Sequence, residues 1–191
     1  MSTPPIRRKP RSDAERNRDR VLEAARALFA EQGYDVQMSE VARMAGVGVG
    51  TLYRKYPTRE ALIEAVAERR SAEMAAFARA RCQAEADPPQ ALRVFLCHVG
   101  EVLADDRGMS EVIEKAMGST EPRGETRAAL LSVVTELIDR AQASGVIRSD
   151  VTTEDVNMIV CGLAAVIRHS AGDWRRFIEI ALDGLRPSQT T

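Results

Sequence analysis

The placement of proline constrains this chain more than any other single feature. The eight prolines stand at positions 4, 5, 10, 57, 88, 89, 122 and 187. A proline inside a helix removes a hydrogen bond and clashes with the preceding turn. The long proline-free stretches are therefore where helices can run, and apolar residues recur through them at helical spacing. Aromatic residues are only 4% of the 191 residues, and β-branched runs are short. Abundant Ala, Leu, Arg and Glu favour helix over strand. The expected fold is all-α, with about nine helices in one large domain or two small ones.

Residues 1–14 carry Arg7, Arg8, Lys9 and Arg11 among three prolines with no apolar pattern, which predicts a flexible basic arm. From Arg16 to Gln32, Val21, Leu22, Ala25, Leu28 and Phe29 form one stripe that Gly33 ends. Met38 to Ala45 and Val49 to Lys55 are two short helices, and Thr58 caps a fourth that carries Leu62, Ile63, Val66, Met74 and Phe77 and extends to about residue 84. Pro88-Pro89 opens a fifth helix, apolar on more than one face. Helices follow at 110–117 and 123–144. Thr152 to Asp155 has the spacing of a capping box ahead of a helix at about 152–169, and the last helix spans about 173–186, before a tail at 187–191.

No apolar run approaches the roughly 18 residues of a membrane span, and the first residues lack the apolar segment of a secretory signal. Cys82, Cys97 and Cys161 are odd in number and far apart, as are His98 and His169. A disulfide framework or a structural zinc site is not expected. A reduced, cytoplasmic protein without metal or cofactor is. No Gly-x-Ser-x-Gly elbow, phosphate loop or His-Glu-x-x-His motif appears, so no catalytic residue is assigned and no enzyme is expected.

Residues 37–56, Gln-Met-Ser-Glu-Val-Ala-Arg-Met-Ala-Gly-Val-Gly-Val-Gly-Thr-Leu-Tyr-Arg-Lys-Tyr, carry the most information. Two short helices meet at Gly46, which permits the positive φ of a sharp corner. Val41, Ala42, Val47 and Leu52 pair these helices, and Met38 and Ala45 can pack on the first. That leaves Gly48, Val49, Gly50, Thr51, Arg54 and Lys55 facing outward. Each glycine in a helix costs about 1 kcal/mol relative to alanine, so helix propensity does not explain them. They form either a loose helix start or a surface that something, such as DNA in its major groove, must approach closely. Arg59 at a helix start, with Thr58 and the free amides, offers an anion site. Tyr53, Lys55 and Arg59 together could hold phosphates, or form a solvated patch.

Three segments carry a specific resemblance: Val21-Leu-Glu-Ala-Ala-Arg-Ala-Leu-Phe-Ala-Glu-Gln-Gly-Tyr34, Val41-Ala-Arg-Met-Ala-Gly-Val47 and Gly50-Thr-Leu-Tyr-Arg-Lys-Tyr-Pro-Thr-Arg-Glu-Ala-Leu62. Over residues 16–66 the chain resembles the DNA-binding domain of TetR-family repressors. Gly145 to Asp150, ahead of Thr153 to Val156, is similar to the family's turn before its dimerisation helices. The resemblance implies a helix-turn-helix reader over 15–60 and a helical ligand-binding and dimerisation domain over 61–186. It implies a homodimer on a palindromic double-stranded DNA operator, with reading helices about 34–36 Å apart or somewhat wider. A small-molecule effector would tilt the fourth helix and release the DNA.

Carried over by position, the resemblance places Val49, Gly50 and Thr51 at base edges and Tyr53, Lys55 and Arg59 at phosphates. Ser39 and Arg43 would reach the backbone or a base. Gln37 departs from the family's Ser or Thr cap, and Gly48 from a frequent Ser. With few donors on the reading helix, specificity should lean on Thr51, Ser39, Arg43, thymine methyl contacts and DNA shape. The basic arm could follow the minor groove or have no role.

The resemblance places Phe77, Phe95, His98, Met109, Met117, Leu130, Val134, Met158 and Cys161 on helices around a cavity for an apolar or amphipathic effector. Residues of these types are more often core than ligand contacts, and His98, the polar candidate, is on such a helix more often a satisfied core residue. For dimerisation the candidates are Val156, Ile159, Val160, Leu163, Ile167, Trp174, Phe177, Ile178 and Leu182. Gly162, Ala164 and Ala165 permit close helix approach. An alternative function is a helical small-molecule-binding or interaction protein without sequence-specific DNA binding.

The formal charge of −1 conceals an asymmetry. Residues 1–60 hold 12 basic and 8 acidic residues, a balance of +4, and residues 61–191 hold 15 and 20, a balance of −5. A basic reader on an acidic body fits a DNA partner better than the total suggests.

Overall fold

The computed structural model describes residues 13–118 and 124–187. Most of the basic arm and of the tail lies outside them. Asp13 and Ala14, placed in the arm by the sequence pattern, already belong to the first helix. Nine α-helices and no strand occur among the described residues: α1 (Asp13–Gln32), α2 (Met38–Ala45), α3 (Val49–Lys55), α4 (Arg59–Phe77), α5 (Pro88–Asp105), α6 (Arg107–Met117), α7 (Gly124–Ala143), α8 (Thr153–Arg168) and α9 (Trp174–Gly184).

Local chemistry sets the ends of these helices. Gly46 closes α2 in the left-handed conformation, φ 64°. Thr58 accepts a hydrogen bond from the Ala61 amide at 3.1 Å. Thr152 and Asp155 form a reciprocal capping box, with Thr152 N–H donating to the Asp155 carboxylate at 2.8 Å. These bonds hold the Asp155 carboxyl below the usual carboxylate range. Past Phe77, α4 widens into a π-helical turn at Ala78–Cys82 rather than running on to residue 84. Arg140 of α7 reaches across and donates to the carbonyls of Cys82 and Gln83, each at 3.3 Å, and to that of Glu85. Carbonyls that the helix end leaves open are thereby satisfied.

The buried residues form two separate cores. The head core joins Val21, Leu22, Ala25, Leu28 and Phe29 of α1 to Met38, Val41, Ala42 and Ala45 of α2 and Leu52 of α3. It also takes in Leu62, Ile63, Ala65 and Val66 of α4 and Met109, Val112 and Ile113 of α6. The body core holds Leu92, Phe95, Leu96, Val99, Val133, Leu137, Ile138, Leu163 and Ile178, with Ala78 and Cys82 from beyond α4. A boundary at residue 60 therefore does not separate the two. α4 begins in one core and ends beside the other, and α6 sits under the head although it follows α5 in the body.

Gly108 explains how α6 gets there. A Cβ at this position would lie 2.1 Å from the Ala30 carbonyl oxygen. Only a residue without a side chain lets α6 lie against the α1 backbone. Beside it, the Arg26 side chain of α1 donates to the Asp106 carboxylate at 2.9 Å, and Arg70 of α4 donates to the Ser110 hydroxyl at 2.8 Å. On its other side, α6 is tied to α8 by Arg168–Glu114 at 2.5 Å. Gly108→Ala should lower the free energy of unfolding by about 1–3 kcal/mol. Denaturant titration checks this, and unchanged stability would show that α6 can lift off α1 at no cost.

Candidate nucleic-acid interface and effector cavity

The helix pair α2–α3 forms a helix-turn-helix whose inner residues are sealed. Val41 and Ala42 are fully buried and Leu52 nearly so. The outer residues are all open to solvent: Ser39, Arg43, Gly48, Val49, Gly50, Thr51, Tyr53, Arg54 and Lys55. Val49 and Tyr53 are 42% and 47% exposed, large side chains that the fold leaves uncovered. Met44, which the sequence pattern did not single out, is 54% exposed on α2.

Neither glycine on this face is required by the fold. Gly48 has φ −67° as the residue that precedes α3, an angle any residue adopts. A Cβ at Gly50 would meet nothing within 4 Å, and one at Gly48 would meet only the Thr51 hydroxyl at 3.7 Å. Gly50, inside α3, would accept alanine in the free protein, whereas Gly48 stands at the N-cap, where glycine is itself favoured over alanine. At Gly50 the helix forgoes that stabilisation at the point where its surface is most open.

The first turns of α1 add charge that the sequence motif did not include. Arg18 lines a cleft of about 420 Å³ with Thr51, Arg54 and Lys55 of α3. Arg20 lies near the corner, its guanidinium 3.7 Å from where a Gly46 Cβ would be. Helical spacing between Arg18 and the α1 stripe gave no hint of this, because it depends on how α1 and α3 are placed around one cleft by tertiary packing. Arg59 is placed differently from Lys55 and Tyr53. It lies half-buried over the Tyr34 ring, 5.1 Å from its centre, and 3.9 Å from the Asp35 carboxylate. In this conformation it serves the head's own packing rather than standing out as a phosphate clamp.

The body contains an apolar cavity of about 100 Å³ bounded by α4, α5, α7 and α8. Phe95, Leu130, Val134 and Cys161 line it, as do Val99, Leu103, Val156 and Val160. The other effector candidates lie elsewhere. Met109 is fully buried in the head core and Met117 packs against that core, because α6 turns under the head. Met158 is 66% exposed, on a different side of α8 from the cavity-lining residues. Phe77 and His98 stack on each other with ring centres 3.6 Å apart, outside the cavity lining. Burial, opposed by Glu101, pushes the His98 pKa down, which favours the neutral ring. Arg70, absent from the sequence candidates, does line the cavity. A larger cleft of about 800 Å³ between the start of α5 and α9 is open and lined by Asp87, Arg93, Glu179, Asp183 and Arg186; its charges mostly pair or face solvent.

Several dimerisation candidates are consumed within the chain. Leu163 and Ile178 are fully buried, and Val156 and Ile167 nearly so. Trp174 lies on Gly100 of α5, where a Cβ would be 2.4 Å from its ring. Phe177 lies on Gly162, with a Cβ position 2.9 Å away. The close approach that Gly162 permits is thus between α8 and α9 of one chain. Ile159, Val160 and Leu182 remain half-buried, and Ile180, 58% exposed, joins Met158 as uncovered apolar surface on these helices.

No described helix is long and apolar enough to cross a membrane, and no group of metal-ligating side chains occurs among the described residues.

Residues 21–66 match the family model described as bacterial regulatory proteins, tetR family. Residues 87–187 match that of the C-terminal domain of SbtR-like transcriptional regulators. The chain is 36% identical to a TetR transcriptional regulator of Streptomyces coelicolor of known structure, over 90% of this chain and 99% of that one, with a TM-score of 0.67. It is 37% identical to a TetR regulatory protein of Mycobacterium vanbaalenii over 92% and 98% of the two chains, TM-score 0.63. An HTH-type transcriptional regulator of Staphylococcus aureus is 41% identical over 70 residues, 35% of this chain and 36% of that protein. The chain thus matches about a third of the length of that relative. Together with the exposed helix-turn-helix face and the two-core architecture, these matches place the chain in the TetR family of DNA-binding bacterial transcriptional regulators.

Proposed function

We propose that this chain represses transcription by binding a palindromic operator as a homodimer, and that a small molecule in the α4–α8 cavity releases it. The observation that carries this reading is Gly50, exposed inside α3 where a Cβ would meet nothing within 4 Å. An exposed helical glycine that the fold does not need is accounted for by a partner whose surface must come within backbone distance, and the floor of the DNA major groove is such a surface. Arg18, Arg20, Arg43, Arg54 and Lys55 around Gly50 supply the positive field that phosphates require. Thr51, Ser39 and the Val49 methyls are the groups left to read bases. A second chain would cover the apolar surface on α8 and α9 around Met158 and Ile180, and two-fold symmetry would then present two heads to an inverted repeat.

A ligand of ordinary size needs more room than about 100 Å³, since drug-sized sites run to roughly 300–1,000 Å³. Occupation therefore has to push α4, α5, α7 and α8 apart. α4 carries that displacement into the head core through Leu62 and Ile63. By linkage, DNA weakens the ligand by the factor with which the ligand weakens DNA.

Selection of bound genomic fragments tests the reading. An inverted repeat should emerge, with an affinity that falls steeply as salt rises. Recovery of no repeat and no salt dependence would instead favour a helical small-molecule-binding protein that does not read DNA. Within the site, Gly50→Ala should raise the free energy of unfolding by about 1 kcal/mol while weakening operator binding at least tenfold. A variant that is more stable and binds equally well would remove the basis for close approach. Lys55→Ala should reduce the slope of log affinity against log salt by about 1, measured by fluorescence anisotropy. Arg59→Ala should leave that slope nearly unchanged and lower the thermal stability of the protein, because its side chain is already engaged with Tyr34.

A further inference from the structure

Arg70 is an unusual group to find in the wall of an apolar cavity. It lies on α4 one turn before Met74, is 8% exposed, and faces the space lined by Phe95, Val99, Leu130, Val134 and Val160. One nitrogen donates to the Ser110 hydroxyl at 2.8 Å. Its Nε is buried and has no hydrogen-bond partner. The charges acting on it are Asp106, which favours the cation, and Arg26, which opposes it and already holds the Asp106 carboxylate at 2.9 Å. Among the described residues only Arg26 is ion-paired with that carboxylate, so the Arg70 charge has no direct carboxylate partner beside apolar walls. Burial, the largest influence, lowers the Arg70 pKa, yet a guanidinium stays protonated in proteins. A buried cation with an unpaired donor is costly unless something pairs with it.

We propose that the effector is an anionic amphiphile, a carboxylate on an apolar chain or ring, whose head pairs with the unpaired Nε edge of Arg70 as the cavity widens. The apolar part fills and widens the cavity, and the carboxylate supplies the acceptors that the arginine lacks. A planar guanidinium matches a carboxylate through two parallel hydrogen bonds. The same arginine ties α4 to α6 through Ser110, so the head group lands on the strut between body and head. This inference rests on the reading of the α4–α8 cavity as the effector site.

The test uses the full-length wild-type protein and three probes of one chain length: octanoate, 1-octanol and octylamine. Calorimetric titration should show octanoate bound at least tenfold more tightly than octanol, with octylamine weaker than both. In Arg70→Gln the advantage of the acid over the alcohol should vanish while octanol binds as before. Arg70→Lys should keep part of it. If Arg70→Gln does not fold, the wild-type ranking still decides. Equal binding of acid and alcohol, a preference for the amine, no binding of the acid up to millimolar concentration, or an advantage that survives Arg70→Gln would each overturn the proposal. Operator affinity is measured alongside. An acid that binds through Arg70 without releasing DNA would leave this site standing and sink the effector-release reading. Intact DNA binding with no bound acid would do the reverse.

Discussion

The Asp106 carboxylate, 3% exposed, is the point on which head and body depend. It stands where α5 ends and α6 begins, accepts from Arg26 of α1 at 2.9 Å, and lies near enough to Arg70 of α4 to act on its charge. A carboxylate this deeply buried persists only when paired. Its need for a cation fixes α1 against the α5–α6 corner. Gly108, two residues on, then lets α6 settle on the α1 backbone, and Ser110 receives Arg70. One short helix is thus clamped to the reader by one arginine, to the long connecting helix by another, and to α8 through Glu114 and Arg168. Besides α4, which runs from one core to the other, the two are joined at this corner by directional bonds. Such a joint can have two arrangements, whereas a continuous packed core would resist deformation.

Glycine does three different jobs in this chain. At Gly46 it turns a corner with positive φ. At Gly100, Gly108 and Gly162 it makes room, for Trp174, the Ala30 carbonyl and Phe177 respectively. At Gly48 it stands at the N-cap of α3, where glycine is favoured over alanine. At Gly50 none of these reasons holds, and a Cβ there would meet nothing within 4 Å.

Features decided locally were legible in the sequence. Proline positions, the Gly33 and Gly46 stops, the Thr58 cap and the Thr152–Asp155 box all depend on neighbours within four residues, and each helix that they bound is present. The helix-turn-helix was legible because its ordered residues are specific. What stayed hidden depends on which helix meets which. Met109 and Met117 read as cavity residues until α6 is seen beneath the head. The packing of Trp174 and Phe177 on glycines of α5 and α8 in the same chain is likewise a matter of which helices meet. Arg70 sits within Glu68-Arg69-Arg70, a stretch that reads as a solvated face. The missed signal was its register: Ile63, Val66, Arg70, Met74 and Phe77 form one continuous inward stripe, and a charge on such a stripe is either paired or waiting for a partner.

Hydrogen exchange of Asp106→Asn, followed peptide by peptide, tests the joint most directly. Loss of the carboxylate removes the ion pair with Arg26 and the anion that acts on the buried Arg70, so the contact should open more often than either core unfolds. Faster exchange confined to α6 and to the second half of α1, with α8 and α9 exchanging as in the wild type, is the predicted result. Unchanged exchange throughout, or uniform acceleration in both cores, would contradict the account of a head and body held together at Asp106.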